Sequence, residues 1–210
     1  MLSKTIAIVD YGMGNLRSVG HAVEFLGFPT AIARNGDTIS RAAAIVIPGV
    51  GAFKEAMDRL KAMRLVDPLN DQVVRARKPV FGICLGMQLM ARRSTEGGVS
   101  EGLGWIDGEV DLIPERPGVR LPHVGWNGAE PRAGALLFRN VSPDAHFYFD
   151  HSYCLFCDED VAEATSIYGT PFVTAIRKGN VFATQFHPEK SQNNGLRILR
   201  NFLNVVAAAA

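Results

Sequence analysis

Val80-Phe81-Gly82-Ile83-Cys84-Leu85-Gly86 joins a buried strand to a helix through an abrupt turn. Val80 to Ile83 is apolar without polar alternation, the pattern of a strand covered on both faces. Leu85 to Arg93 reads as the helix behind it. The same pairing recurs upstream. Thr5 to Val9 is a second buried run, followed by a glycine-containing turn and a helix with Leu16, Val19, Val23 and Leu26 on one face, ended by Gly27. A short strand is expected at Thr30 to Ala33. Ala44 to Ile47 is a third buried run, stopped by Pro48 and Gly49; a helix carrying Phe53, Met57 and Leu60 follows, and another lies near Pro68 to Arg77. Repeated strand–helix alternation predicts a parallel sheet covered by helices.

The pattern changes after about Gly97. Short strand-like pieces separated by glycine and proline dominate: Ile106 to Ile113, His146 to Leu155, Val173 to Arg177 and Val181 to Phe186, the last two joined by a hairpin turn at Lys178-Gly179-Asn180. A C-terminal helix aligns Leu196, Leu199 and Leu203 with Phe202 beside them, and the alanine tail at 207–210 is expected to fray. The expectation is one α/β domain over residues 1–210: a mostly parallel central sheet flanked by helices, with antiparallel strands in the C-terminal half.

Composition narrows the function classes. Lys plus Arg is 22 and Asp plus Glu is 21, a net charge of +1, which argues against an electrostatic nucleic-acid binder. No apolar run approaches the ~20 residues that span a bilayer. Met1 to Asp10 carries a single Lys4 and no secretory h-region. Three cysteines suit a reducing compartment and not a disulfide framework. The expectation is a cytoplasmic protein without nucleic-acid or membrane partners.

Gly82-Ile83-Cys84-Leu85-Gly86 has the form Gly-x-nucleophile-x-Gly in strand-to-helix context. Such a turn leaves no room for flanking side chains, and the helix N-terminus favours a thiolate; a buried, inert cysteine is the alternative. A thiol nucleophile needs a base and a group to orient it. Among His21, His123, His146, His151 and His187, the last sits in Gln185-Phe186-His187-Pro188-Glu189. Residues two apart in extended chain share a face, and Pro188 keeps His187 extended, so His187 and Glu189 can converge on one site. For the oxyanion of an acyl transfer, the N–H of Leu85 and that of Val50, within Pro48-Gly49-Val50-Gly51, are candidates; the latter segment also suits an ordinary strand-to-helix turn. Cys154-Leu155-Phe156-Cys157 has metal-motif spacing, but its cysteines face opposite sides of a strand and no second pair exists. Gly12-Met13-Gly14 lacks the third glycine of a dinucleotide fingerprint, since position 17 is Arg17.

Gly82 to Gln88, Pro48 to Gly51 and His187-Pro188-Glu189 together resemble the class I (triad) glutamine amidotransferases, whose fold is flavodoxin-like. Asp10 to Ser18, Leu121 to Asn127 and His187 to Gln192 narrow the resemblance to the glutaminase subunits of imidazole glycerol phosphate synthases, over essentially the whole chain. The resemblance implies that Cys84 attacks the glutamine side-chain amide, forming a glutamyl thioester and releasing ammonia. His187 would act as base and acid, Glu189 would orient it, and Val50 and Leu85 would form the oxyanion hole. Gly49, Gly51, Gln88, Glu96, Ser152 and Tyr153 would hold glutamine. The ammonia would pass to a (β/α)8-barrel cyclase subunit of a heterodimer, with Asn15, Trp126, Tyr148 and Lys190 at or near the interface. No metal or organic cofactor is implied. Asp150 departs from the family, which usually has valine there; such a charge is expected to face solvent or a partner.

Overall fold

The computed structural model describes residues 4–209, Ala209 by its backbone alone, so Met1 to Ser3 and the last alanine of the tail lie outside the described residues. The first half alternates strands and helices: β1 (Ile6–Val9), α1 (Leu16–Phe25), β2 (Thr30–Ala33), α2 (Gly36–Arg41), β3 (Ala44–Gly49), α3 (Phe53–Ala62), α4 (Val66–Asn70) with a π-helical turn over Asp71–Arg75, β4 (Val80–Cys84) and α5 (Leu85–Gln88). The second half is mainly strands: β5 (Ala91–Ser94), β6 (Ser100–Glu101), β7 (Ile106–Leu112), β8 (His123–Gly128), β9 (Glu130–Pro131), β10 (His146–His151), β11 (Tyr153–Cys157), β12 (Ala162–Tyr168), β13 (Thr170–Lys178) and β14 (Val181–Thr184). A 3-10 turn at Pro188–Lys190 leads into α6 (Gln192–Ala209).

Eight strands form the main sheet in the order β2-β1-β3-β4-β14-β13-β12-β9. β2, β1, β3, β4 and β14 run parallel, and β13, β12 and β9 continue antiparallel. Every residue of β1, β3, β4 and β14 is buried. That is why these strands read as unbroken apolar runs: helices cover both faces. Ile6 and Ile8 face the side packed by Val19 and Val23 of α1 and by Leu199, Phe202 and Leu203 of α6. Ala7 and Val9 face Met57 and Leu60 of α3 and Leu69 beyond them. Outside the main sheet, β8 and β10 form an antiparallel ribbon, and β11-β7-β5-β6 form a separate sheet.

The structure corrects several expectations. The helix read over Leu85 to Arg93 is a single turn ending at Gln88, and Ala91–Ser94 is a strand beside β7. Leu85, Met87, Leu89, Met90 and Ala91 are all buried, so this segment has no polar face from which a period could be read. β3 runs on through Pro48 and Gly49. Proline is tolerated there because β1 pairs only as far as Val46, so no neighbour calls on the missing N–H. The stretch His146 to Leu155 breaks at Ser152 into β10 and β11, which belong to different sheets. α2, β5 and β12 carry no sequence signal strong enough to read. β14, although late in the chain, is a parallel central strand. Within the described residues α6 continues to Ala209.

α6 is clamped by aromatic packing: the Phe202 ring lies 5.1 Å from that of Phe81 and 5.5 Å from that of Phe182. Replacing Phe202 by alanine is expected to cost about 3–5 kcal/mol, because a rigid sheet on one side cannot collapse into the hole. Urea-induced unfolding measures this; a loss below about 1 kcal/mol would show that α6 is not part of the cooperative core.

Candidate active site

At the end of β4 the chain turns so sharply that Cys84 adopts φ 53°, ψ −108°. A positive φ on a side-chain-bearing residue is strained and persists only where its surroundings impose it. The flanking glycines show what imposes it. A Cβ on Gly82 would lie 2.7 Å from the Gly86 carbonyl oxygen, and a Cβ on Gly86 would run into the carbonyl oxygen of Ile47 in β3. The first turn of α5 is therefore pressed against β3, with Cys84 level with Gly49 in the sheet register. Leu85, as the first residue of α5, has an N–H without an intrahelical acceptor. Val50, just past β3, is 41% exposed. The two residues expected to donate to the oxyanion, one just past β3 and one at the start of α5, thus line one cavity with Cys84.

Behind Cys84, His187 and Glu189 are both almost fully buried, and His187 Nδ1 lies 2.8 Å from Glu189 Oε1. The pair meets by a route other than the one expected. His187 is extended, but Glu189 sits in the 3-10 turn, and it is the turn that brings its carboxylate back to the imidazole. Burial disfavours the imidazolium, but the Cys84 sulfur, once ionised, and the Glu189 carboxylate outweigh it and raise His187, so a proton that leaves the sulfur is held on the imidazole. His187 Nε2 has no hydrogen-bond partner. The Cys84 thiol instead points to the main-chain oxygen of Asp150 at 3.7 Å. Nucleophile and base are neighbours whose hydrogen bond is not formed in this arrangement, a common state of unliganded sites.

Cys84 opens onto a cavity of about 330 Å³ lined by Val50, Gly51, Leu85, Gln88, Glu96, Pro122, Asp150, His151, Ser152 and Tyr153. This gathers nearly all the residues singled out for glutamine. Gly49 stands just behind, where a Cβ would strike Tyr11 Oη. Glu96 also holds the fold together locally. Its Oε2 accepts the N–H of Phe53 at 2.7 Å and so caps α3, whose own N-cap residue is Ala52. Buried Tyr11 is not legible in the sequence; its hydroxyl donates to the Pro48 carbonyl at 2.7 Å, pinning the segment that leads to Val50. Among the described residues, no cluster of side chains suited to a metal ion is present. Cys154 is buried and Cys157 half-buried, on opposite faces of β11 as expected.

The family profile for class I glutamine amidotransferase matches residues 7–206. The chain belongs to that family. It is 45% identical over 200 residues to the protein of Campylobacter jejuni (strain RM1221) named imidazole glycerol phosphate synthase subunit HisH 1, covering 95% of this chain and 100% of that one. It is 44% identical over 208 residues to the imidazole glycerol phosphate synthase subunit HisH of Moorella thermoacetica, covering 98% and 97%. A crystal structure described as a glutamine amidotransferase superposes with a TM-score of 0.76 at 20% identity, covering 96% of this chain and 98% of that one. The structure of PurLQS from Thermotoga maritima gives 0.73 at 19%, covering 98% and 99%. At such identities the structural likeness is one of fold.

In this amidotransferase the β8–β10 ribbon carries two more buried histidines. His123 is stacked between Phe149 and Tyr168, with ring centroids 4.7 and 3.9 Å away, and its Nδ1 lies 3.0 Å from His151 Nε2. His151 Nδ1 lies 2.9 Å from the Tyr153 carbonyl oxygen. A carbonyl only accepts, so His151 Nδ1 carries the proton and His151 Nε2 accepts from His123. Burial pushes His123 down to about 4 and His151 to about 3. On the outer face of the ribbon, Trp126 lies edge-on to Tyr148 at 6.1 Å, and Lys190 Nζ sits 5.2 Å from the Tyr148 ring centre. These three candidate partner residues form one surface. Asn15 caps α1 through the Ser18 N–H at 3.1 Å, and α1 packs on the turn that carries Lys190. Asp150 is exposed, as expected for a charge there.

The two kinds of histidine titrate oppositely. His123 and His151 are expected to remain neutral down to about pH 5, whereas in the unfolded chain both would protonate near 6.5. The unfolded state then binds more protons, so their contribution to stability falls as the pH drops below about 6.5. His187 has the opposite sign: its charged form contributes stability below about 6.5, lost as the pH rises through about 10. NMR titration of the imidazole protons separates the three, and either ribbon histidine titrating near 6.5 would contradict the buried hydrogen-bonded arrangement.

Proposed function

We propose that this chain is the glutaminase subunit of an imidazole glycerol phosphate synthase, a single glutaminase domain over residues 1–210 acting in the cytoplasm with Cys84, His187 and Glu189 as its catalytic residues. The observation that carries this is the elbow: a strained Cys84 at the mouth of a small cavity, backed by a buried histidine–carboxylate pair. The identity above 40% to HisH proteins over nearly the full length of both chains supports the narrower reading. No described helix is long and apolar enough to cross a membrane.

The chemistry follows from the placement of the groups. The Cys84 thiol gives its proton to His187 Nε2, and the thiolate attacks the side-chain carbonyl carbon of glutamine. The developing oxyanion takes the N–H groups of Leu85 and Val50. His187 returns the proton to the amide nitrogen as the C–N bond breaks, so ammonia leaves and a glutamyl thioester remains. Water then attacks the thioester, His187 takes its proton, and glutamate departs as the sulfur is released. Glu189 fixes the imidazole so that Nε2 faces the sulfur. Gln88 Nε2 already donates to the Tyr153 carbonyl at 2.8 Å and to Gln185 Oε1 at 3.1 Å. Its Oε1 is therefore the end that serves glutamine. Glu96 complements the substrate ammonium, and the main chain of Gly49, Gly51, Ser152 and Tyr153 completes the cradle.

Ammonia released into water is protonated and no longer nucleophilic, so it needs a sheltered route to an acceptor. We infer that the acceptor site belongs to a (β/α)8-barrel cyclase docked on the surface of Asn15, Trp126, Tyr148 and Lys190. The main-chain N–H of His187 donates to the Tyr148 carbonyl at 2.9 Å, which ties the backbone of that surface to the backbone that carries the base. Docking there is suited to swing the thiol from Asp150 toward Nε2.

The test is ammonia release from glutamine by the chain alone and with a cyclase subunit. The isolated chain is expected to be slow and the complex faster; Cys84→Ser is expected to lower release by roughly a thousandfold or more. Full release by Cys84→Ser in the complex would overturn the assignment of the nucleophile. Recovery of a chorismate-using chain as the natural partner would overturn the assignment of the synthase.

A further inference from the structure

Gln185 is completely buried, two residues before His187, and its Nε2 lies 3.6 Å from the Cys84 sulfur. We propose that Gln185 is a further catalytic residue: its side-chain amide donates to the sulfur and holds it, as thiolate, in the attacking position. The inference rests on Cys84 being the nucleophile.

The direction of this hydrogen bond is forced by one carbonyl. Oxygen and nitrogen of a side-chain amide have nearly the same shape, so orientation must come from the partners. The Tyr153 carbonyl can only accept. The Gln88 group 2.8 Å from it must therefore be the NH₂ end. That NH₂ also lies 3.1 Å from Gln185, so the atom of Gln185 facing it is the carbonyl oxygen Oε1. The NH₂ of Gln185 is left pointing at Cys84. Turning the Gln185 amide over would set two NH₂ groups against each other and a carbonyl oxygen against the sulfur. From the other side, His151 donates to the same Tyr153 oxygen at 2.9 Å and is held in turn by His123. The polarity at the sulfur is thus anchored by a buried chain that begins in the β8–β10 ribbon.

The consequence for the reaction is specific. The resting thiol gives its hydrogen to the Asp150 carbonyl. Once His187 takes that proton, a carbonyl oxygen next to a thiolate is repulsive, and the Gln185 N–H is the opposing attraction. A hydrogen bond to an ionised acceptor in a dry site is worth more than one between neutral groups. The sulfur carries this charge twice per turnover, before attack on glutamine and again as it is expelled from the thioester. Gln185 is therefore expected to support both steps without contributing to the affinity for glutamine.

The experiment compares Gln185→Met, matched in length and lacking the donor, with Gln185→Glu, which keeps an oxygen toward Gln88 but presents another to the sulfur. Both are assayed in the complex with the cyclase subunit. In each, kcat is expected to fall about 10–100-fold with KM within about threefold, glutamate being the lower of the two. The rate of Cys84 alkylation by iodoacetamide, followed by mass spectrometry, is expected to fall in parallel. If both variants fold, as judged by their thermal transitions, but alkylate at the wild-type rate, the donor role is overturned. A rise in KM with unchanged alkylation would likewise overturn it, leaving only packing. Should Gln185→Glu fail to fold, the alkylation rate of Gln185→Met decides alone. Full activity of Cys84→Ser in the same complex would instead strike at the nucleophile itself, so the two failures are distinguishable.

Discussion

The close approach of α5 to β3 is the constraint on which the rest of the site depends. Gly86 has no space for a side chain because the carbonyl of Ile47 occupies it, and Gly82 has none because the backbone of Gly86 and Met87 does. With two strands and a helix start compressed to that degree, Cys84 has little choice but a positive φ. The strain lifts the sulfur out of the sheet toward the carboxyl ends of the strands, the edge where open parallel sheets bind their ligands. It also brings Val50 and Leu85 to the cavity that the sulfur lines, since Gly49 and Cys84 are level in the β3–β4 register.

Two polar systems of opposite character converge on that sulfur. On one side His187 and Glu189 form a buried pair biased toward charge. On the other, His123, His151, Gln88 and Gln185 form a neutral array in which His151 and Gln88 both donate to the Tyr153 carbonyl and Gln88 donates on to Gln185. Neither is favoured as packing, because buried polar groups stabilise only when fully satisfied. Their common destination explains their presence better than stability does. The array starts between Phe149 and Tyr168 in the ribbon whose outer face carries Trp126 and Tyr148, so the proposed docking surface and the nucleophile share one two-stranded element.

Legibility in the sequence follows the physics of each segment. The buried runs at Ile6, Ala44 and Val80 are readable because strands covered on both faces have a composition of their own. The elbow is readable because its glycines are a steric necessity. Leu85 to Ala91 misleads because a uniformly buried segment has no face. β12, with its half-buried alternation broken by a register shift at Ala164, lacks a clean period. Gln185 escapes notice in the sequence, although the alternation that links His187 to Glu189, taken one step back, points to it. The link to Glu189 itself holds for another reason, since a 3-10 turn and not an extended chain closes that contact.

By itself the sequence determined the strand–helix alternation, the two glycines that the elbow requires, and the residue types of a thiol, its base and a carboxylate. These are local matters, governed by the sterics of a few adjacent residues and by which side chains can carry the chemistry. Only the tertiary structure decided that β14 inserts beside β4, which brings His187 from the far end of the chain to Cys84. It alone decided that Tyr153 presents a carbonyl to both Gln88 and His151. Those outcomes depend on strand order and on contacts between residues tens of positions apart, and no local pattern encodes which buried polar groups will meet.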